Sequence, residues 1–233
     1  MTHRDDQFIE PTQRRSFLGQ VAGGVAALAA VGAAPRRLMA AVTHQTGDRT
    51  HPGDDWMDAL NAKHRTVFDM SAHKNGKPLG QAKNFFDAWR DAFNVPEHNV
   101  NLVIGIHGEG IPVVLTDALW SRYKIGEQYE VMDGGTKSAA VRNVFTAANA
   151  TGGGLLTPEQ SVESLRKRGV RFLICMNTIA AATKKLSAAG LGSPEEIRPA
   201  LLDGLLPGVI VVPAMVVAFT QLQERGVKYT KIA

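Results

Sequence analysis

Between residues 66 and 232 the chain alternates short apolar runs with stretches whose apolar residues recur at helical spacing, and that alternation is the strongest constraint on its fold. Thr66 to Met70, Asn101 to Ile106, Val170 to Ile174, Val209 to Val212 and Val227 to Ile232 read as strands. The second run is continuously apolar, as a parallel strand buried on both faces must be. Between the first two strands, Ala82, Phe85, Phe86, Trp89 and Phe93 recur at the spacing of an amphipathic helix. Strands alternating with helices of these lengths predict an α/β fold: a mostly parallel five-stranded sheet with helices on both faces.

Turn and cap chemistry places the other helices. Pro112 suits the first turn of a helix with Val114, Leu115, Ala118 and Leu119 facing inward. Thr157-Pro158-Glu159-Gln160 and Ser193-Pro194-Glu195-Glu196 are capping boxes, opening helices to Arg168 and over Ile197 to Leu202. Asn177 or Thr178 is positioned to cap a helix through Leu186, and Met215 to Glu224 carries an ordinary core stripe of Met215, Val216, Val217 and Phe219. From Lys124 to Gly154 the pattern weakens. With glycine runs flanking a candidate helix at Ser138 to Ala148, this stretch is expected to be a mobile excursion at a binding face or oligomer contact.

The first 41 residues read as an export signal. Arg14-Arg15-Ser16-Phe17-Leu18, an Ala/Gly/Val run to Ala34 and then Arg36-Arg37 resemble a twin-arginine signal, which implies a periplasmic location. An uncleaved signal acting as a membrane anchor is the alternative. Residues 42–63 read as a polar linker with a short helix at Asp54 to Ala62, and residues 64–233 as one α/β domain. The net charge of +4 falls to +2 once residues 1–41 are set aside. Without a dense basic stripe interleaved with aromatics, nucleic acid is not an expected partner.

The chain has one cysteine, Cys175, at the end of the third strand. An intramolecular disulfide is impossible, so in an oxidising compartment this thiol is either buried or used. A functional thiol needs stabilisation as thiolate, from the following helix N-terminus or a nearby histidine; the alternative is a small buried hydrophobe. His107 ends the second strand before Gly108-Glu109-Gly110, so its imidazole and Glu109 are placed to reach the same crevice, unless they simply build a turn. Asp69, Ser71 and His73 follow the first strand and are candidates for the same rim. Trp120 and Tyr123 are expected at a subunit interface or, failing that, against a ligand. His44, His51, His64 and His98 lack metal-site spacing, and no metal or cofactor is expected. No nucleophile elbow, HExxH or Walker loop occurs.

Phe172-Leu173-Ile174-Cys175-Met176-Asn177-Thr178, Leu205 to Pro213, and Leu222 to Tyr229, together with the His107-Gly108-Glu109-Gly110 turn, resemble the DsrE/DsrF-like family over most of residues 65–232. The resemblance implies a flavodoxin-like three-layer fold, assembly into homo-oligomers (trimer or hexamer), and a strand-end cysteine carrying sulfur as a persulfide. Cys175 matches that position. Met176 stands where the family often has glycine, and Thr178 where certain members have a second cysteine, so two-cysteine redox chemistry is excluded. The expected site is Cys175 and His107 as reacting groups, with Gly108, Glu109, Gly110, Asn177 and Thr178 binding the ligand. The expected partner is a small sulfur species. The alternative is a non-catalytic binding or assembly module that uses the fold and the 124–154 excursion to hold a partner protein or small ligand, with Cys175 structural.

Overall fold

A computed structural model describes residues 55–150 and 156–233. The expected signal, most of the linker and the Gly152-Gly153-Gly154 run lie outside the described residues. Five strands, β1 (His64–Ala72), β2 (Val100–Glu109), β3 (Arg171–Cys175), β4 (Ile210–Val212) and β5 (Lys228–Lys231), form one sheet. Their order is β4-β3-β2-β1-β5, and every pairing is parallel. The α/β fold with a five-stranded parallel sheet read from the sequence is therefore the fold of this chain.

The strand order dictates where the helices go. From β1 through β4 the sheet grows in one direction, and right-handed crossovers put those connections on one face. This face carries α1 (Lys77–Asp91), α2 (Asp117–Arg122), α3 (Ile125–Gln128), α4 (Val162–Lys167), α5 (Met176–Ala188) and α6 (Pro194–Asp203). The last crossover returns across the whole sheet to reach β5, so the same handedness puts α7 (Met215–Glu224) on the opposite face. Residues Met57 and Leu60 are buried beside α7, so residues ahead of position 64 pack onto the sheet with the domain.

Strand alternation feeds two cores. Phe68, Ile104, Ile106, Phe172 and Ile174 meet Leu79, Ala82 and Phe86 of α1 and Ile179 and Leu186 of α5. Val67, Val103, Leu173 and Cys175 meet Met215, Ala218, Phe219 and Leu222. Each large apolar side chain so buried contributes about 1.5–3 kcal/mol relative to exposure. The α7 stripe is only half core, because Val216 and Val217 point to solvent.

The segment between β2 and β3 departs most from expectation. The helix anticipated from Pro112 is split: a single 3-10 turn at Ile111–Val114 is followed by extended backbone at Leu115 and Thr116 before α2. Leu115 bridges Leu205, and Thr116 N donates to Gly204 O, so long-range pairing overrides local propensity there. The Thr157 capping box opens one 3-10 turn, Pro158–Gln160, and Ser161 then caps α4 afresh. No helix forms at 138–148, and residues 124–150 are no loose excursion. Ile125, Tyr129, Val131, Val144 and Phe145 are buried, and the fully buried Asn143 donates to Val113 O (3.1 Å) and Leu115 O (2.7 Å) while accepting from Phe145 N (2.9 Å). Trp120 and Tyr123 are also completely buried within the chain, with Trp120 Nε1 donating to Pro112 O, so neither is a surface group awaiting a partner subunit.

Candidate functional site at the carboxyl edge of the sheet

Register and pleat bring the expected residues to one face. Asp69 of β1 pairs with Gly105 of β2, Gly105 with Leu173 of β3, and Ile106 with Ile174. One step further along, His107 and Cys175 occupy adjacent strands at the same level, and Cys175 pairs with Val212 of β4. Since side chains alternate between faces, Asp69, His107 and Cys175 all project toward the α7 side with Val67, Val103 and Leu173. Tyr229 of β5, paired with Val67, joins them.

Asp69 is buried and organises this edge. Its Oδ1 lies 2.6 Å from His107 Nε2, and its Oδ2 accepts from the Tyr229 hydroxyl at 2.5 Å. A carboxylate only accepts, so Nε2 carries the proton and Nδ1 is the imidazole nitrogen left without it in the neutral ring. The hydrogen bond to Asp69 raises the Tyr229 phenol to about 12. Phe219 of α7 closes over the group, edge-on to His107 (6.5 Å between centroids) and to Tyr229 (5.5 Å). It fits there because residue 105 is glycine: a Cβ would meet the Phe219 ring and come within 2.7 Å of Met215 Sδ.

Cys175 is only 3% exposed and is the N-cap residue of α5, with extended backbone and no side-chain bond to the helix N–H groups. Asn177 and Thr178, the anticipated caps, are already inside the helix. Cys175 Sγ lies 3.1 Å from Thr178 Oγ1, which in turn accepts from Gly108 N at 3.3 Å. Cys175, Thr178 and Gly108 thus form one hydrogen-bonded chain beside His107. Gly108 has φ +53°, and a side chain there would press on Ser71 O at 3.0 Å, which explains the glycine structurally.

The other anticipated ligand-binding residues lie apart. Glu109 is exposed and pairs with Lys185 at 3.2 Å, whose ammonium sits 4.1 Å above the Tyr129 ring. Gly110 is buried in the turn, and Asn177 is exposed on the first turn of α5. Ser71 Oγ donates to Ala233 O at 2.6 Å. His73 sits elsewhere, with Nδ1 accepting from Asn75 N and Nε2 donating to Tyr129 O at 2.9 Å; burial pushes its pKa down. His64 stacks on Trp89, and no cluster of three or more His, Cys, Asp or Glu suited to a metal occurs among the described residues. Tyr229 is the site residue that sequence reasoning missed. The available signal was Asp69 itself, an acid inside the apolar run Val67-Phe68-Asp69-Met70, which demands a donor when buried.

No family model matches the chain, and no curated protein matches it. Among solved structures it is similar to a protein of unknown function from Methanobacterium thermoautotrophicum, with 19% sequence identity, a TM-score of 0.39, and a match covering 72% of this chain and 99% of that one.

Proposed function

We propose that this protein binds a small anionic sulfur species in the crevice at the carboxyl ends of β3 and β4, with Cys175 as sulfur acceptor and His107 as the adjoining proton-handling group. The observation that carries the reading is the position of Cys175 at the topological switch point. The chain leaves β3 toward the α5 face and leaves β4 toward the α7 face, and ligands of open α/β sheets collect where successive connections diverge. Both α5 and α7 start there, and neither has a side chain capping its first N–H groups, which favours negative charge.

The chemistry requires no external oxidant. The Cys175 thiolate attacks a sulfur of an inorganic polysulfide, an S–S bond of the donor breaks as the Sγ–S bond forms, and the shortened polysulfide leaves with the electron pair. The thiol proton passes to solvent or to His107 Nδ1. A DsrE-like sulfur relay, export through Arg14-Arg15 to the periplasm and assembly into a homo-oligomer belong to the same proposal.

A second reading is favoured by the near-complete burial of Cys175: the thiol is core, and the edge built by Asp69, His107 and Tyr229 holds a ligand or partner protein without covalent chemistry. Mass spectrometry of the native protein after polysulfide treatment separates the two. A +32 Da adduct per added sulfur on Cys175, absent in Cys175→Ser, is the expected outcome. An unmodified Cys175 that also resists native alkylation eliminates the sulfur-acceptor reading. Thr178→Val, which removes the hydroxyl between Sγ and Gly108 N, is expected to change the native alkylation rate of Cys175.

A further inference from the structure

Helices α5 and α6 run back along each other across the Gly190 and Gly192 turn, and their buried sides, Ile179, Ala182 and Leu186 against Ile197 and Leu201, join the sheet core. Their outer sides do not close. Between them lies a cleft of about 620 Å³, within the range of small-molecule sites. Ala180, Ala188 and Pro194 supply apolar surface, so the cleft is not a purely polar groove.

The charged side chains on this cleft have no ion-pair partner among the described residues. Lys184 and Arg198 both line it, and neither side chain makes an ion pair or hydrogen bond with any described residue. Glu195, on the first turn of α6, is equally unpaired. Lys185, one residue from Lys184, is by contrast engaged, pairing with Glu109 at 3.2 Å. Two cations against one acid leave the cleft with a net charge of +1, and the Ser187 hydroxyl adds a donor at its wall.

We propose that this cleft binds a small amphipathic monoanion, a carboxylate or sulfonate with a short apolar tail, at a site separate from Cys175. The tail covers the alanine and proline surface, and the head group takes the charge-assisted bonds that Lys184 and Arg198 lack. Arg198 offers a planar fork that matches a carboxylate, whereas Lys184 acts as a point charge. An inorganic anion satisfies only the cations and a neutral alcohol only the apolar wall, so each is expected to bind more weakly than a ligand having both.

Calorimetric titration of the full chain with octanoate tests this, with 1-octanol and sulfate as comparison ligands. Octanoate is expected to bind saturably, and 1-octanol and sulfate each at least about tenfold more weakly. Lys184→Gln combined with Arg198→Gln is expected to weaken octanoate by about tenfold or more, and Ala180→Trp, at an exposed helical position, to abolish the binding by filling the cleft. Unchanged melting temperatures establish that each variant is folded. No saturable octanoate heat, equal affinity for octanol, or affinity unchanged in either variant overturns the proposal.

Discussion

Asp69 and His107 are diagonal neighbours on adjacent parallel strands, joined at 2.6 Å over Gly105, the residue directly opposite Asp69. The absence of a side chain at position 105 leaves room for Phe219, whose ring lies edge-on to the His107 imidazole. Asp69→Asn keeps the shape and removes the charge. Its expected signature is a Tyr229 phenol that titrates below about 12, toward its ordinary value of 10, because the carboxylate that raises it is gone. Ultraviolet titration of the variant, with Tyr229→Phe identifying the Tyr229 step, measures this. A high-pH step that does not move would mean that Asp69 is not the cause.

Gly105→Ala is expected to destabilise the protein by about 1–3 kcal/mol through overpacking, since the new methyl meets Phe219 and Met215 at the middle of the α7 core. Urea unfolding gives the magnitude. The double variant with Phe219→Leu is expected to recover part of the loss relative to the sum of the single variants, as contacting residues do. Strict additivity would place the strain somewhere other than this contact.

The fold class was legible in the sequence because strand periodicity and connection lengths agreed on strands alternating with helices, whereas the order of the strands in the sheet was not read from it. The positions of Cys175 and His107 followed from the same pattern: each directly follows an unambiguous apolar run, Cys175 as the last residue of β3 and His107 two residues before β2 ends at Glu109. What escaped was decided by tertiary pairing. Leu115 and Thr116 have the local sequence of a continuing helix but are drawn into extended backbone by Leu205 and Gly204. Residues 138–148 carry several helix formers, yet Asn143 engages backbone groups of a segment some 30 residues away. The partnership of Asp69 with Tyr229 joins residues 160 apart, and no local spacing encodes it.

Asn143 leads to a sharper test of the 124–150 segment. Replacement by alanine removes the side-chain partner of the Val113 and Leu115 carbonyls and of the Phe145 N–H at a fully buried position. The expected cost is about 2–3 kcal/mol. A loss under about 0.5 kcal/mol in urea unfolding, the range of an ordinary surface change, would be incompatible with a packed segment.

His73 couples this segment to acidity. Its imidazole accepts from Asn75 N through Nδ1 and donates to Tyr129 O through Nε2, which is the bonding pattern of a neutral ring, and burial lowers its pKa from 6.5. In the unfolded chain the ring protonates as pH falls through about 6.5, whereas in the folded chain it resists until lower pH. Across that window the unfolded state binds more protons, so stability contributed by this residue falls as pH falls from about 6.5. Protonation of Nδ1 would also remove the acceptor that caps the 3-10 turn Lys74–Gly76, where Lys74 and Asn75 both hold positive φ. Urea midpoints measured between pH 7.5 and 5 are expected to decline more steeply for the parent chain than for His73→Gln, which cannot titrate. Parallel pH profiles for the two would exclude His73 as the source of the acid sensitivity.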